Sequence, residues 1–170
     1  ITGLGAGPML RSLWIIGLAG LLLWGVQSET SRAQELPAYS LRYDPARDPF
    51  ADGREALRLA RQTGRMVLIE VGGDWCSWCH VLDRFLNQHA AISTTLHQRF
   101  VVLKVNVDDS NDNAGFLSAF PPAMGYPHLY VTRSDGAVVH SQDSGEFLHK
   151  GRYSAQRILG FLDHWGKQHD

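Results

Sequence analysis

The sequence predicts an α/β domain with a central mixed β-sheet flanked by helices on both faces. Two short continuous apolar runs, residues 66–71 and 100–107, read as strands buried on both sides, as the middle of a covered sheet requires. Segments of helical period alternate with them, which implies strand–helix–strand connection and parallel pairing. Further on, 128–132 and 137–140 flank Ser134-Asp135-Gly136, a hairpin signal that adds antiparallel strands and makes the sheet mixed.

Length and composition agree with one domain. The chain has 170 residues, 44% of them hydrophobic and 19% charged, enough to bury a core in ordinary globular proportion. A net charge of −1 offers no electrostatic footprint for nucleic acid or an anionic membrane. Arg11 precedes an uncharged apolar run over 13–26, short for a membrane span and suited to a signal-peptide core. Ser31-Arg32-Ala33 places small residues before a cut at Gln34. Residues 1–33 are therefore expected to be a signal peptide, with Met9 as the start, and the remaining chain to be exported without a stable span. An uncleaved anchor through 13–26 is the alternative.

Residues 34–51 hold Pro37, Pro45 and Pro49 with no clean period and read as a linker or extended arm leading into a domain over 52–170. Asp52 is expected to cap a helix to residue 63, with Ala56, Leu57 and Ala60 inward and Gly64 ending it. After the strand at 66–71, a helix is expected over 77–88, its buried stripe made by Val81, Leu82, Phe85 and Leu86. Another helix over 90–98 leads into the strand at 100–107. The polar stretch 108–113 breaks that strand and caps a short helix running to Phe120, which Pro121 and Pro122 end. A last helix over 154–168 turns Ile158, Leu159, Leu162 and Trp165 inward.

The only two cysteines, Cys76 and Cys79, stand three apart at the strand-to-helix junction Gly73-Asp74-Trp75-Cys76-Ser77-Trp78-Cys79-His80. A C-x-x-C pair in this setting reads as a redox-active dithiol. Unpaired backbone N–H groups and the helix dipole favour a thiolate at the helix start, which makes Cys76 the attacking thiol. Cys79, one turn on, can close a ring with it and acts as the resolving thiol through a mixed disulfide. A loop this small constrains little of the unfolded chain, so a purely structural disulfide is disfavoured.

Residues 70–79, Glu70-Val71-Gly72-Gly73-Asp74-Trp75-Cys76-Ser77-Trp78-Cys79, together with Gly125-Tyr126-Pro127 before a later strand, resemble the thioredoxin superfamily. Among its members the chain is most similar to exported thioredoxin-like proteins and to the C-terminal domains of periplasmic thiol:disulfide interchange proteins. The resemblance runs from about residue 52 to the C-terminus. It implies a thioredoxin-like fold and thiol–disulfide oxidoreductase activity with no cofactor beyond the cysteine pair. It also implies exported protein substrates, a membrane redox partner that resets the dithiol, and a periplasmic location if the source is Gram-negative. By the same resemblance Pro127 is a cis-proline facing the dithiol. Glu70 is a buried acid that takes the proton of Cys79, unless it is simply paired with a lysine or arginine. Trp75, Tyr126, Pro127 and Trp78 shape the substrate face.

The chain departs from the thioredoxin pattern in three places. Ser77 and Trp78 stand where thioredoxins have Gly-Pro, His80 stands where a lysine is usual, and the proline that kinks the active-site helix is missing. Ser77 and His80 are therefore expected to modulate the redox potential, and the direction of electron flow is open, with reductase preferred.

Two other readings use the same residues. Cys76, Cys79 and His80 also spell a c-type haem attachment signature, with Met124 as a distal ligand. Thiolates suit Cu(I), so a copper-binding protein of the same fold is the third reading, although no histidine pair has ligand spacing. His128 after Pro127 is expected to be a strand histidine. The 108–113 stretch lacks the glycine and terminal glutamate of a calcium loop and reads as a turn.

Overall fold

The computed structural model describes residues 2–3 and 35–167. The expected signal segment, the start at Met9 and the tail from residue 168 lie outside these, and 35–167 fall within a single compact unit. Among the described residues, no helix is long and apolar enough to cross a membrane.

Four strands make the main sheet: β1 (Met66–Gly72), β2 (Phe100–Asn106), β3 (His128–Thr132) and β4 (Val138–Asp143). Their order is β2-β1-β3-β4. β1 and β2 run parallel, with Glu70 opposite Lys104, while β3 is antiparallel to both β1 and β4. The mixed sheet expected from the sequence is thus the observed one. Arg133 and Gly136 close the β3–β4 turn, Gly136 at φ +93°. The strand after it begins at 138 and runs three residues further than its apolar run.

Alternation along the strands divides the core. Val67, Ile69 and Val71 of β1, Val101, Leu103 and Val105 of β2, and Tyr130 of β3 face one side. There they meet Ala56 and Ala60 of α2 (Pro49–Thr63) and the ring of Phe116 in the short α5 (Ala114–Leu117). Met66, Leu68, Val102, Leu129 and Val131 face the other side. These pack on α3 (Ser77–Gln88), α4 (Ala90–Arg99) and α6 (Ala155–Trp165) through Leu82, Leu86, Ile92, Leu96, Ile158, Phe161 and Leu162. Both faces being covered explains why β1 and β2 read as unbroken apolar runs.

The structure corrects several element boundaries. Asp48, not Asp52, caps α2: its carboxylate accepts from Phe50 N–H at 2.9 Å, and Pro49 takes the first helical position. Asp52 lies inside the helix and accepts from Arg47 Nε at 2.6 Å. The 34–51 stretch is no extended arm. It carries α1 (Ala38–Leu41), which lies along β2, where the Ser40 hydroxyl donates to the Val102 carbonyl at 2.5 Å. The same stretch buries Tyr39 and Tyr43. The helix expected to reach Phe120 stops at Leu117, and α6 stops at Trp165 with Gly166 after it. Phe161 joins Ile158 and Leu162 as the buried stripe of α6, whereas Leu159 and Trp165 are half-buried. A two-stranded ribbon, β5 (Leu148–His149) and β6 (Arg152–Tyr153), precedes α6 across a Lys150-Gly151 turn with both residues at positive φ.

Candidate active site

The dithiol stands where β1 hands over to α3. Cys76 is the N-cap of α3, and its Sγ accepts the Cys79 backbone N–H at 3.1 Å. This is the helix-start position at which a thiolate is favoured. The two sulfurs are joined as a disulfide, with the Cα atoms 5.2 Å apart. Cys79 is fully enclosed and Cys76 retains 4% of its surface. The cysteine assigned to attack is thus nearly enclosed in the oxidised protein.

Glycine at 72 leaves room for Cys79 and the Tyr43 ring, and glycine at 73 for Trp75. A Cβ on Gly73 would stand 2.5 Å from Trp75 Nε1 and 2.9 Å from the Val107 carbonyl. With that space free, Trp75 folds back and donates its indole N–H to Val107 O at 2.6 Å. Trp75 stays 59% exposed and meets Tyr126 edge to face at 5.7 Å. The Tyr126–Pro127 bond is cis, and Pro127 leads directly into β3. Trp75 and Tyr126 line one groove of about 1090 Å³ with Val107 and the 108–112 turn. In that turn Asp108 accepts from the Ser110 hydroxyl, Asn106 and the Asn111 and Ser110 N–H groups, which hold its pKa down at about 2.

The expected substrate-facing residues do not all converge. Trp78, also exposed, lies against Tyr153 edge to face at 5.8 Å and takes no part in lining the Trp75–Tyr126 groove. Ser77 is exposed at the start of α3. His80 is exposed, and its Nε2–H donates to the Asp74 carbonyl at 2.8 Å, which ties it back over the turn before Cys76. His128 is buried on β3, with Nε2 at 2.9 Å from the Ser141 hydroxyl, and lies against Tyr130 on the α2 side of the sheet, as a strand histidine.

Glu70 is 1% exposed. It shares its face of β1 with Gly72, against which Cys79 packs. The Tyr43 hydroxyl donates to Glu70 Oε1 at 2.7 Å. Burial pushes the Glu70 carboxyl above the usual carboxylate range; Lys104 and the Tyr43 hydrogen bond pull it back, and Asp83 adds to the rise. Burial and then the Glu70 charge push the Tyr43 phenol well above its ordinary value. Lys104, opposite Glu70 on β2, makes its ion pair with Asp83 of α3 and also lies over the Tyr43 ring.

Sequence reasoning missed Tyr43, Lys104 and Tyr153. Lys104 had a readable signal, a lone cation within an apolar strand. Tyr43 sits in an aperiodic proline-bearing stretch, and Tyr153 in a two-residue strand; neither leaves a pattern.

A protein-family model described as Thioredoxin-like matches residues 48–133. The chain belongs to the thioredoxin-like family. Among solved structures it is similar to a disulphide isomerase from Xylella fastidiosa Temecula1, at 27% identity and TM-score 0.62, over 78% of this chain and 98% of that one. The oxidised C-terminal domain of DsbD from Neisseria meningitidis shares the fold, with 15% identity and TM-score 0.55, over 69% of this chain and 96% of that one. Spermatogenesis-associated protein 20 of Homo sapiens is 31% identical over 70 residues, 41% of this chain and 9% of that protein. An uncharacterized protein of Caenorhabditis elegans is 29% identical over 90 residues, 51% of this chain and 12% of that protein. The chain thus spans about a tenth of the length of these curated relatives. Family, fold and disulfide together make the described domain a thiol–disulfide oxidoreductase domain and favour that reading over haem attachment. Among the described residues, no group of three or more His, Cys, Asp or Glu side chains is arranged to hold a metal ion.

Proposed function

We propose that the chain is an exported thiol–disulfide oxidoreductase that works as a reductase on protein disulfides. The observation that carries the reading is the enclosed Glu70 carboxyl, on the same face of β1 as the Gly72 that Cys79 packs against, beside a disulfide whose first cysteine caps α3. Cys76 attacks the substrate disulfide as thiolate. Glu70 accepts the proton of Cys79, which then attacks Cys76 and releases reduced substrate. A carboxyl pulled upward by burial lies nearer a thiol in acidity, which suits that transfer.

Trp75, Tyr126 and Pro127 hold extended substrate backbone beside Cys76, the groove that the two rings line with Val107 and the 108–112 turn supporting this assignment. Trp78, exposed and packed on Tyr153, adds to the substrate face outside that groove. Ser77 and His80 set the potential through their placement around the first turn of α3. The apolar run at 13–26 supports export through a signal peptide over 1–33, with a periplasmic location in a Gram-negative source. The packed stretch from residue 35 belongs to the same unit as the oxidoreductase domain expected over 52–170. A membrane reductant carrier resets the dithiol, since an exported compartment is kept oxidising.

The reduction potential tests the direction. A value near thioredoxin's, about −270 mV, with reduction of insulin disulfides, supports a reductase; one near about −120 mV reverses the assignment. The likeness to a disulphide isomerase favours a second reading, in which Cys76 attack shuffles substrate disulfides. Reactivation of scrambled ribonuclease without added reductant distinguishes it.

A further inference from the structure

Tyr43 lies before the stretch that the family model matches, yet it forms one buried cluster with Cys76 and Cys79. We propose that the Tyr43 hydroxyl relays the proton between Cys79 and Glu70 when the mixed disulfide is resolved, an inference that rests on the oxidoreductase reading above. Glu70 and Gly72 are two residues apart on one face of β1, about 6.6 Å along the strand. Cys79 packs over Gly72, one side-chain step along that face from Glu70, and Tyr43 packs over the same glycine. A Cβ on Gly72 would stand 2.5 Å from Cys79 Sγ and 3.0 Å from Tyr43 Oη, which makes sulfur and hydroxyl neighbours above the bare glycine. The same hydroxyl already donates to Glu70 Oε1 at 2.7 Å.

A phenol can accept one proton while giving up another. The other charged and titratable groups facing this pair are Lys104 from β2, Asp83 from α3 and Tyr153 from β6. Lys104 is engaged with Asp83, and Tyr153 with Ser144 and Trp78. Tyr43 is left as the group that bonds the carboxylate and packs beside the sulfur over Gly72.

The step balances. The Cys79 S–H proton passes to Tyr43 Oη as the Tyr43 proton passes to Glu70 Oε1. The Cys79 thiolate attacks Cys76 Sγ, the Cys76–Cys79 bond forms, and the Cys76–substrate bond breaks. Its electron pair leaves with the substrate thiolate, which is protonated by solvent. Over the cycle the dithiol loses two electrons and the substrate disulfide gains them.

Stopped-flow reaction of the reduced full chain with 5,5′-dithiobis(2-nitrobenzoate) tests the relay. Cys76 attack releases the first thionitrobenzoate and Cys79 resolution the second. Tyr43→Phe keeps the ring and removes the hydroxyl. At neutral pH it should leave the first phase within about two-fold and slow the second by about ten-fold or more, the deficit closing at alkaline pH where Cys79 ionises unaided. Glu70→Gln should give the same pattern, and the double variant should be no slower than either single one. A second phase unchanged in Tyr43→Phe but slowed in Glu70→Gln overturns the relay and leaves Glu70 as the proton acceptor. A deficit equal at every pH also overturns it, marking a packing effect. No first phase in the wild-type chain removes the oxidoreductase reading itself.

Discussion

Trp75 and Tyr126 meet edge to face, ring centroids 5.7 Å apart and planes at 87°, although they come from separate loops. Their meeting joins the dithiol turn to the turn that ends at Pro127. Both rings remain exposed, so the contact shapes a surface more than it fills a core.

Replacing Trp75 with Ala should therefore weaken substrate binding more than folding. It removes one side of the groove and the bond to Val107. We expect KM for a protein disulfide to rise about ten-fold, equivalent to about 1.4 kcal/mol. The melting temperature should fall by no more than a few degrees, because most of the ring is already in water. A large loss of stability with unchanged KM would contradict the assignment.

The two cysteines should fail differently. Cys76→Ser should abolish turnover, since the α3 cap would carry no thiolate. Cys79→Ser should leave Cys76 able to attack but unable to be released, so a mixed disulfide with substrate accumulates on non-reducing gels. Trapping by Cys76→Ser in place of Cys79→Ser would exchange the two roles.

Glu70 gives a pH-dependent stability. Its folded carboxyl is raised above the unfolded value of 4.5. The folded state therefore binds its proton more tightly, and that contribution is complete below 4.5 and lost as pH rises through the folded pKa. Glu70→Gln should make the oxidised protein more stable than wild type at neutral and alkaline pH, and the difference should shrink on acidification toward 4.5. Chemical denaturation across that range measures it; an advantage that grows on acidification would have the wrong sign.

Gly72 should tolerate no side chain. An alanine Cβ there would stand 2.5 Å from Cys79 Sγ and 3.0 Å from the Tyr43 ring, both held in packed surroundings. Gly72→Ala should destabilise the oxidised protein by about 1–3 kcal/mol, as overpacking does. Unfolding in urea checks this, and an unchanged midpoint would show that Cys79 and the Tyr43 ring can separate freely.

Periodicity made the sheet and its main helices legible, because covered strands such as 66–72 and amphipathic helices such as 77–88 write their burial into the sequence. The cysteine pair, Trp75, Glu70 and Pro127 were legible through spacing and resemblance. What escaped was held by tertiary contact alone. Tyr43 is buried because α1 lies along β2, and no local pattern announces that. The start of α2 was misplaced because Asp48 and Asp52 both look like caps, and only Pro49 decides between them. Trp78 packs against Tyr153, a contact that no local pattern announces.

Strict alternation along β1 has a consequence for evolution and engineering alike. Odd positions 67, 69 and 71 serve one slab of the interior; even positions 68, 70 and 72 serve the other. Inserting or deleting one residue ahead of Glu70 would invert this parity. The acid would enter the slab lined by Val67, Ile69, Val101 and Leu103, and a valine would take the place of Gly72 against Cys79. Length changes in this strand should therefore survive only in pairs.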